Sequence, residues 1–168
     1  MSTAIEAGAA PWGHRARPSD RRSVAGRTYV VGVATLYRRA VFDDDDAARA
    51  VARVHAVRWP WRDCTVLAWV LLPDRWQALL RLGEQDSLST LVGRFKGLTS
   101  RAVDPRHRVN GWLWTRGFTD RALADGEDPR AIARLLVLQP VRAGLAARPG
   151  DYAYWNAAWL PGGAELTP

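Results

Sequence analysis

The stretch Cys64-Thr65-Val66-Leu67-Ala68-Trp69-Val70-Leu71-Leu72-Pro73-Asp74-Arg75-Trp76-Gln77-Ala78-Leu79-Leu80-Arg81-Leu82 decides the fold. From Cys64 to Leu72 the residues are apolar on both alternating faces, the pattern of a central strand. Pro73-Asp74 breaks the run, and Trp76 to Leu82 reads as a second strand returning beside the first. The two predict a hairpin at the middle of an antiparallel sheet.

Upstream, Thr28-Tyr29-Val30-Val31-Gly32-Val33-Ala34-Thr35 is rich in β-branched residues and reads as another strand. Asp43 to Asp46 then precede a helix over roughly Asp44 to Arg58, with Ala47, Ala50, Val51 and Val54 on one face. Four carboxylates in a row could suggest a metal site. Capping the helix and complementing its positive end explains them more simply. Trp59-Pro60-Trp61 ends that helix.

Downstream, a helix is expected from about Ser87 to Val103, with Leu88, Leu91, Val92, Phe95, Leu98 and Ala102 facing the core. Its opposite surface carries Arg94, Lys96, Ser100 and Arg101, and Arg106, His107 and Arg108 follow in a polar loop. This reads either as a solvated face or as a track for phosphates. Gly111 to Leu123 alternates aromatic and polar residues and includes a strand. Asp128 and Pro129 suit a helix start; Ile132, Leu135 and Leu136 form its buried stripe, and Pro140 is expected to stop it. Val141 to Leu145 makes a short turn, and Tyr152 to Trp159 is aromatic. The order strand, helix, strand, strand, helix, strand, helix predicts a ferredoxin-like α+β fold, an antiparallel sheet with helices packed on one face.

Residues 1–26 mix Gly, Pro, Ala and Ser with Arg15, Arg17, Arg21 and Arg22, and read as a disordered basic tail. The folded domain is expected over 27–160, with a short tail at 161–168. Hydrophobic residues make up 48% of the 168 and charged ones 24%, so a chain disordered throughout is excluded. No apolar run is long enough for a membrane span, and the first residues lack a signal peptide's apolar core. Cys64, the single cysteine, excludes an internal disulfide and any multi-cysteine zinc site. A cytoplasmic protein without membrane contact is expected. Twenty-four basic residues against 17 acidic ones leave +7, and every basic residue except Lys96 is arginine. Such a surface draws polyanions, nucleic acid first among them. Codon bias is the other reading, because Ala, Arg, Gly and Pro are all abundant.

Several local patterns now coincide. They are Val70-Leu71-Leu72-Pro73, the Ser87-Leu88-Ser89 helix with Phe95-Lys96-Gly97, and Gly111-Trp112-Leu113-Trp114. Gly117-Phe118-Thr119-Asp120 and Gln139-Pro140-Val141-Arg142-Ala143-Gly144-Leu145 follow in order. Each is weak alone, but the ordered set resembles the REP-associated tyrosine transposases, a branch of the single-tyrosine HUH transposases. That resemblance implies a ferredoxin-like domain acting on single-stranded DNA hairpins. It also implies a tyrosine that links covalently to DNA, and a Pro-Asn-His-x-His strand motif holding magnesium or manganese. Alternate strand residues share a face, so two such histidines converge, and the metal stabilises charge in the transition state.

The sequence departs from that pattern at each of these positions. The metal motif reads Pro73-Asp74-Arg75-Trp76-Gln77, so Arg75 and Gln77 stand at the histidine positions. A guanidinium cannot ligate a cation, and a glutamine amide is a weak ligand. The tyrosine position is Leu135, the block's asparagine is Gln139, and Thr119 replaces the histidine usual after the phenylalanine. Tyr29, Tyr37, Tyr152 and Tyr154 all lie off the Asp128–Leu138 helix, and His14, His55 and His107 lack metal-ligand spacing. Nor does spacing single out a magnesium site among Asp74, Asp120, Asp125, Glu127 and Asp128.

The expectation is therefore a DNA-binding protein, monomeric or dimeric, with no catalytic residue intact and no cofactor. It would hold a DNA hairpin through Arg75, Gln77, Trp76, Arg94, Lys96 and Arg101, with Arg106, Arg108 and Arg142 behind them. Two readings stand against it: an active transposase with an unrecognised metal site and nucleophile, and a non-binding remnant or protein-interaction module.

Overall fold

A computed structural model describes residues 23–160. The central hairpin forms where the sequence puts it. Strand β2 (Cys64–Leu72) and strand β3 (Arg75–Leu82) pair antiparallel about Pro73-Asp74, with a register shift between Val66 and Ala68. Strand β1 (Thr28–Ala34) pairs with the other side of β3, Thr28 opposite Arg81 and Ala34 opposite Arg75. Strand β4 (Thr119–Ala122) adds to β1, and a short β5 (Trp155–Ala157) adds to β2. The sheet order is β4-β1-β3-β2-β5, antiparallel throughout. Its first four members make the ferredoxin-like arrangement, so the α+β class is as expected.

Strand alternation sends successive side chains to opposite faces. One face carries Tyr29, Val31, Val33, Trp69, Leu71, Trp76, Ala78 and Leu80, and is covered by helices α1 (Asp45–His55) and α2 (Leu88–Ala102). The other carries Val30, Val70, Leu72 and Leu79, beneath Ile132, Ala133 and Leu136 of helix α3 (Pro129–Val137). The expectation of helices on one face thus holds for α1 and α2, while α3 takes the second face. A hairpin apolar on both sides requires this, because leaving one side wet would forfeit its burial.

Local chemistry sets the helix ends. Asp44 caps α1, accepting from the backbone N–H of Asp46 at 3.0 Å and of Ala47 at 3.2 Å. α1 stops at His55, short of the expected Arg58. Ser87 caps α2 through the N–H of Thr90 at 3.1 Å. Leu88, Leu91, Val92 and Phe95 are buried as expected, but Ala102 is exposed. Thr99 takes the last core position, donating to the Phe95 carbonyl at 2.8 Å and accepting from Trp114 Nε1 at 2.8 Å. Asp128 caps α3 with Pro129 in its first turn. Pro140 does not stop the helical run: after Leu138 the chain continues as α4 (Gln139–Arg142), with Pro140 in its first turn, where its missing N–H is no loss.

A cluster of rings fills the α1–α2 side. The imidazole of His55 stacks on Trp69 at 4.1 Å and on Trp61 at 4.8 Å, and its Nε2 accepts from Trp76 Nε1 at 2.9 Å. Desolvation there pushes its pKa down to about 3, so it is neutral at physiological pH.

Residues 1–22 of the tail expected at 1–26, and the tail expected at 161–168, lie outside the described residues. Residues 23–26 are described, and Gly26 N donates to the Leu82 carbonyl at 2.9 Å. Among the described residues no helix is long and apolar enough to cross a membrane.

Candidate nucleic-acid interface

β3 alternation directs Arg75 and Gln77 to the α3 face and Trp76 into the opposite core. Thr119, Gly32 and Gln77 line up in register across β4, β1 and β3. Glycine leaves room at the middle of that row, where a Cβ at position 32 would lie 2.7 Å from Thr119 Oγ1 and 3.6 Å from Gln77 Cγ.

The turn from α3 into α4 brings Gln139 over the same row. Its Nε2 donates to Gln77 Oε1, and its Oε1 accepts from Arg75 Nη2 at 3.4 Å. Arg75 Nη1 donates to Asp74 Oδ1 at 2.8 Å, while Arg38 Nη1 donates to Asp74 Oδ2 at 3.2 Å. A continuous polar chain therefore runs Arg38, Asp74, Arg75, Gln139, Gln77. It carries two guanidinium charges against one carboxylate. Gln77 and Gln139 are each 8% exposed, but the Arg75 side chain is 30% exposed. Among the described residues one bond is made by each of two guanidinium nitrogens, so its fork retains donors for an oxyanion.

This donor set does not fit a divalent cation. A guanidinium occupies the centre, and the two glutamine amides are spent on each other and on that guanidinium. Among the described residues no three His, Cys, Asp or Glu side chains gather to hold a metal. Asp44 and Asp128 cap helices, and Glu127 pairs with Arg121 at 2.8 Å.

Leu135 lies on α3, partly buried against the second core. Tyr152 packs against the same cluster and lies within the electrostatic reach of Arg75. Its hydroxyl donates to the Leu71 carbonyl at 2.6 Å, and burial pushes the phenol up to about 12. So held, it is a poor nucleophile.

The expected phosphate track is not brought together. α2 covers the sheet face opposite Arg75 and Gln77, and its basic residues are largely engaged within the protein. Arg94 forms a two-pronged pair with Asp86 at 2.8 and 3.1 Å and donates to the Pro60 carbonyl at 3.0 Å, with its side chain only 8% exposed. Lys96 donates to the carbonyls of Thr115, Arg116 and Gly117 at 2.7, 3.1 and 2.7 Å. Partial burial lowers its pKa to about 8, so it remains an ammonium at neutral pH. Arg108 closes the end of α2, donating to the carbonyls of Ser100 and Val103. Trp76 is fully buried, which corrects its placement beside DNA. Arg101, Arg106 and Arg142 are exposed, and Arg106 pairs with Asp44 at 2.6 Å.

Gln139 was absent from the DNA-facing set that the sequence suggests, although it bridges Arg75 and Gln77. Its signal was available: Gln77 and Gln139 depart from the family pattern at two motifs that converge in the fold.

The model of the IS200-like transposases matches residues 23–125, more than half of the chain. The chain belongs to that family. Among solved structures, the REP-associated tyrosine transposase bound to a REP hairpin superposes on this transposase-family protein with a TM-score of 0.63. The two share 21% identity over 83% of this chain and 82% of the other, a likeness of fold. A Deinococcus radiodurans protein ascribed to the transposases matches with a TM-score of 0.44 and 19% identity, over 76% of this chain and 97% of its own. No curated protein sequence matches significantly.

Proposed function

We propose that this transposase-family protein binds structured single-stranded DNA, hairpins above all, in the cytoplasm, and does not cut it. One observation carries the reading: a half-open guanidinium, Arg75, stands at the family's first metal-ligand position, oriented by Asp74 and Gln139. The family's metal would neutralise a phosphate there, whereas Arg75 would bind the phosphate directly with its spare donors. Gln77 and Gln139 brace it. With Leu135 at the tyrosine position and Tyr152 tied to a carbonyl, a strand held at this site meets no activated nucleophile. A cutting site becomes a holding site.

Fluorescence anisotropy at physiological salt, comparing a labelled hairpin with a scrambled single strand and a duplex, tests the binding. The hairpin should bind tightest. Arg75→Ala should weaken it and reduce the slope of log K against log salt by about 0.7 to 0.9, the loss of one phosphate contact. Equal, weak binding to all three DNAs would leave a remnant or a protein-interaction module. A protein–DNA adduct stable to denaturation, formed with magnesium or manganese, would overturn the loss of chemistry.

A further inference from the structure

Beyond β1 the chain turns through Leu36-Tyr37-Arg38, where Tyr37 and Arg38 both take positive φ, 59° and 56°. Residues with a Cβ rarely adopt that conformation, and two in succession are rarer still. The turn is pinned on several sides. Leu36 N donates to the Leu113 carbonyl at 2.8 Å, Arg38 N to the Thr35 carbonyl at 3.0 Å, and Thr35 Oγ1 to the Arg39 carbonyl at 2.7 Å. Thr35 N also donates to the Asp74 carbonyl at 2.9 Å, which ties the turn to the polar chain containing Arg75. Despite this anchoring the Tyr37 side chain is left in solvent, with the residue 74% exposed.

Facing it along the chain pairing is a second constrained turn. Val109 and Trp112 exchange backbone hydrogen bonds of 2.9 Å around Asn110-Gly111, whose φ values are 49° and 82°. Asn-Gly suits such a two-residue turn. Trp112 is 51% exposed, and the Arg116 guanidinium carbon lies 5.6 Å from the centre of its ring. The antiparallel contacts joining Ala34–Leu36 to Leu113–Thr115 end at Tyr37 on one side and Trp112 on the other.

Two large rings are thus presented by rigid turns at one end of a short ladder, and neither contributes to the core. Arg38, Arg39 and Arg116 accompany them, all exposed. Arg39 donates to the His107 carbonyl at 3.1 Å, and among the described residues neither Arg39 nor Arg116 pairs with a carboxylate. We infer that Tyr37 and Trp112 form a stacking platform for unpaired bases of the strand whose phosphate Arg75 holds, with Arg39 and Arg116 neutralising the adjoining phosphates. The inference rests on the hairpin-holding reading and extends it to a second site. Flat aromatic faces beside unpaired cations complement a polyanion with exposed bases. A protein partner would have to desolvate those charges.

The test uses a labelled hairpin with a short single-stranded extension, and the same hairpin with an abasic extension that keeps every phosphate. The parent should bind the extension with bases at least about tenfold more tightly than the abasic one, tenfold being the worth of a single stacked base. Tyr37→Gly and Trp112→Ala should each shrink that ratio, and together bring it to one, with binding of the hairpin without extension and its salt slope unchanged. Glycine accepts the positive φ, so Tyr37→Gly keeps the turn, and thermal unfolding verifies the fold. Equal affinity of the parent for both extensions, or a ratio that survives both substitutions, overturns the platform. Failure of the hairpin reading looks different: the parent would not prefer the hairpin, or Arg75→Ala would change nothing. The same pair of probes on an unstructured strand would still report on the platform.

Discussion

At the scale of single residues, Gly32 shows how tightly the site is built. A methyl group there would meet Thr119 Oγ1 at 2.7 Å, so Gly32→Ala should destabilise the protein by about 1–3 kcal/mol through overpacking. Thr119→Ala should restore most of that loss, and urea unfolding of the two single variants and the double one measures the coupling. Tyr37 predicts the reverse sign. Replacing it with glycine relieves a left-handed tyrosine but frees the unfolded chain, so stability should hold or rise by up to about 1 kcal/mol. A fall beyond about 1 kcal/mol would mean that the ring is structural. Much of the site was legible at this scale, because period-two alternation puts Arg75 and Gln77 on one face. The same rule excludes Trp76 from it, and reading Trp76 as a DNA contact set that rule aside. The fate of Arg94 was not legible: its partner Asp86 lies before the helix cap, and nothing in local spacing pairs them.

Between elements, Lys96 joins α2 to the segment 115–117. Three carbonyls converge on its ammonium, so Lys96→Met should cost about 1.5–3 kcal/mol and leave those carbonyls to water. Faster amide hydrogen exchange across 115–119, with α2 itself still protected, would show the segment released; unchanged protection would count against the tether. Element positions were readable where punctuation is strong. Pro73 ends β2, α2 begins beside Ser87 and Asp128 starts α3, and all three are found as the sequence suggests. The placement of α3 was not readable, because an apolar stripe says that a helix is covered without saying which face of a sheet covers it. β5 also escaped notice: three residues are too few to show a period, and they pair only because β2 offers an open edge.

For the whole molecule, His55 couples stability to acidity. Its pKa falls from 6.5 in the unfolded chain to about 3 in the fold, so below pH 6.5 the unfolded state binds the extra proton. Stability is fully present above pH 6.5 and should decline by at most about 1.4 kcal/mol per pH unit beneath it. The window from pH 6.5 to 5.5 isolates the effect, because the hydrogen-bonded carboxylates of Asp44, Asp63 and Glu127, lowered in the fold, begin to cost stability only as pH approaches their unfolded values of 3.8 and 4.5. Urea midpoints across that window should slope for the parent and flatten for His55→Gln; equal slopes would remove the imidazole as the cause. The division of cover between α1–α2 and α3 has a consequence for how the protein is made. The first four strands and both helices of one face are complete by Ala122, while Ile132, Ala133 and Leu136, which cover Val30, Val70, Leu72 and Leu79, are encoded after Asp128. During translation a nascent chain can assemble its sheet yet still show an oily underside to the ribosome's surroundings. Until α3 emerges, a chaperone or another nascent chain competes for that surface.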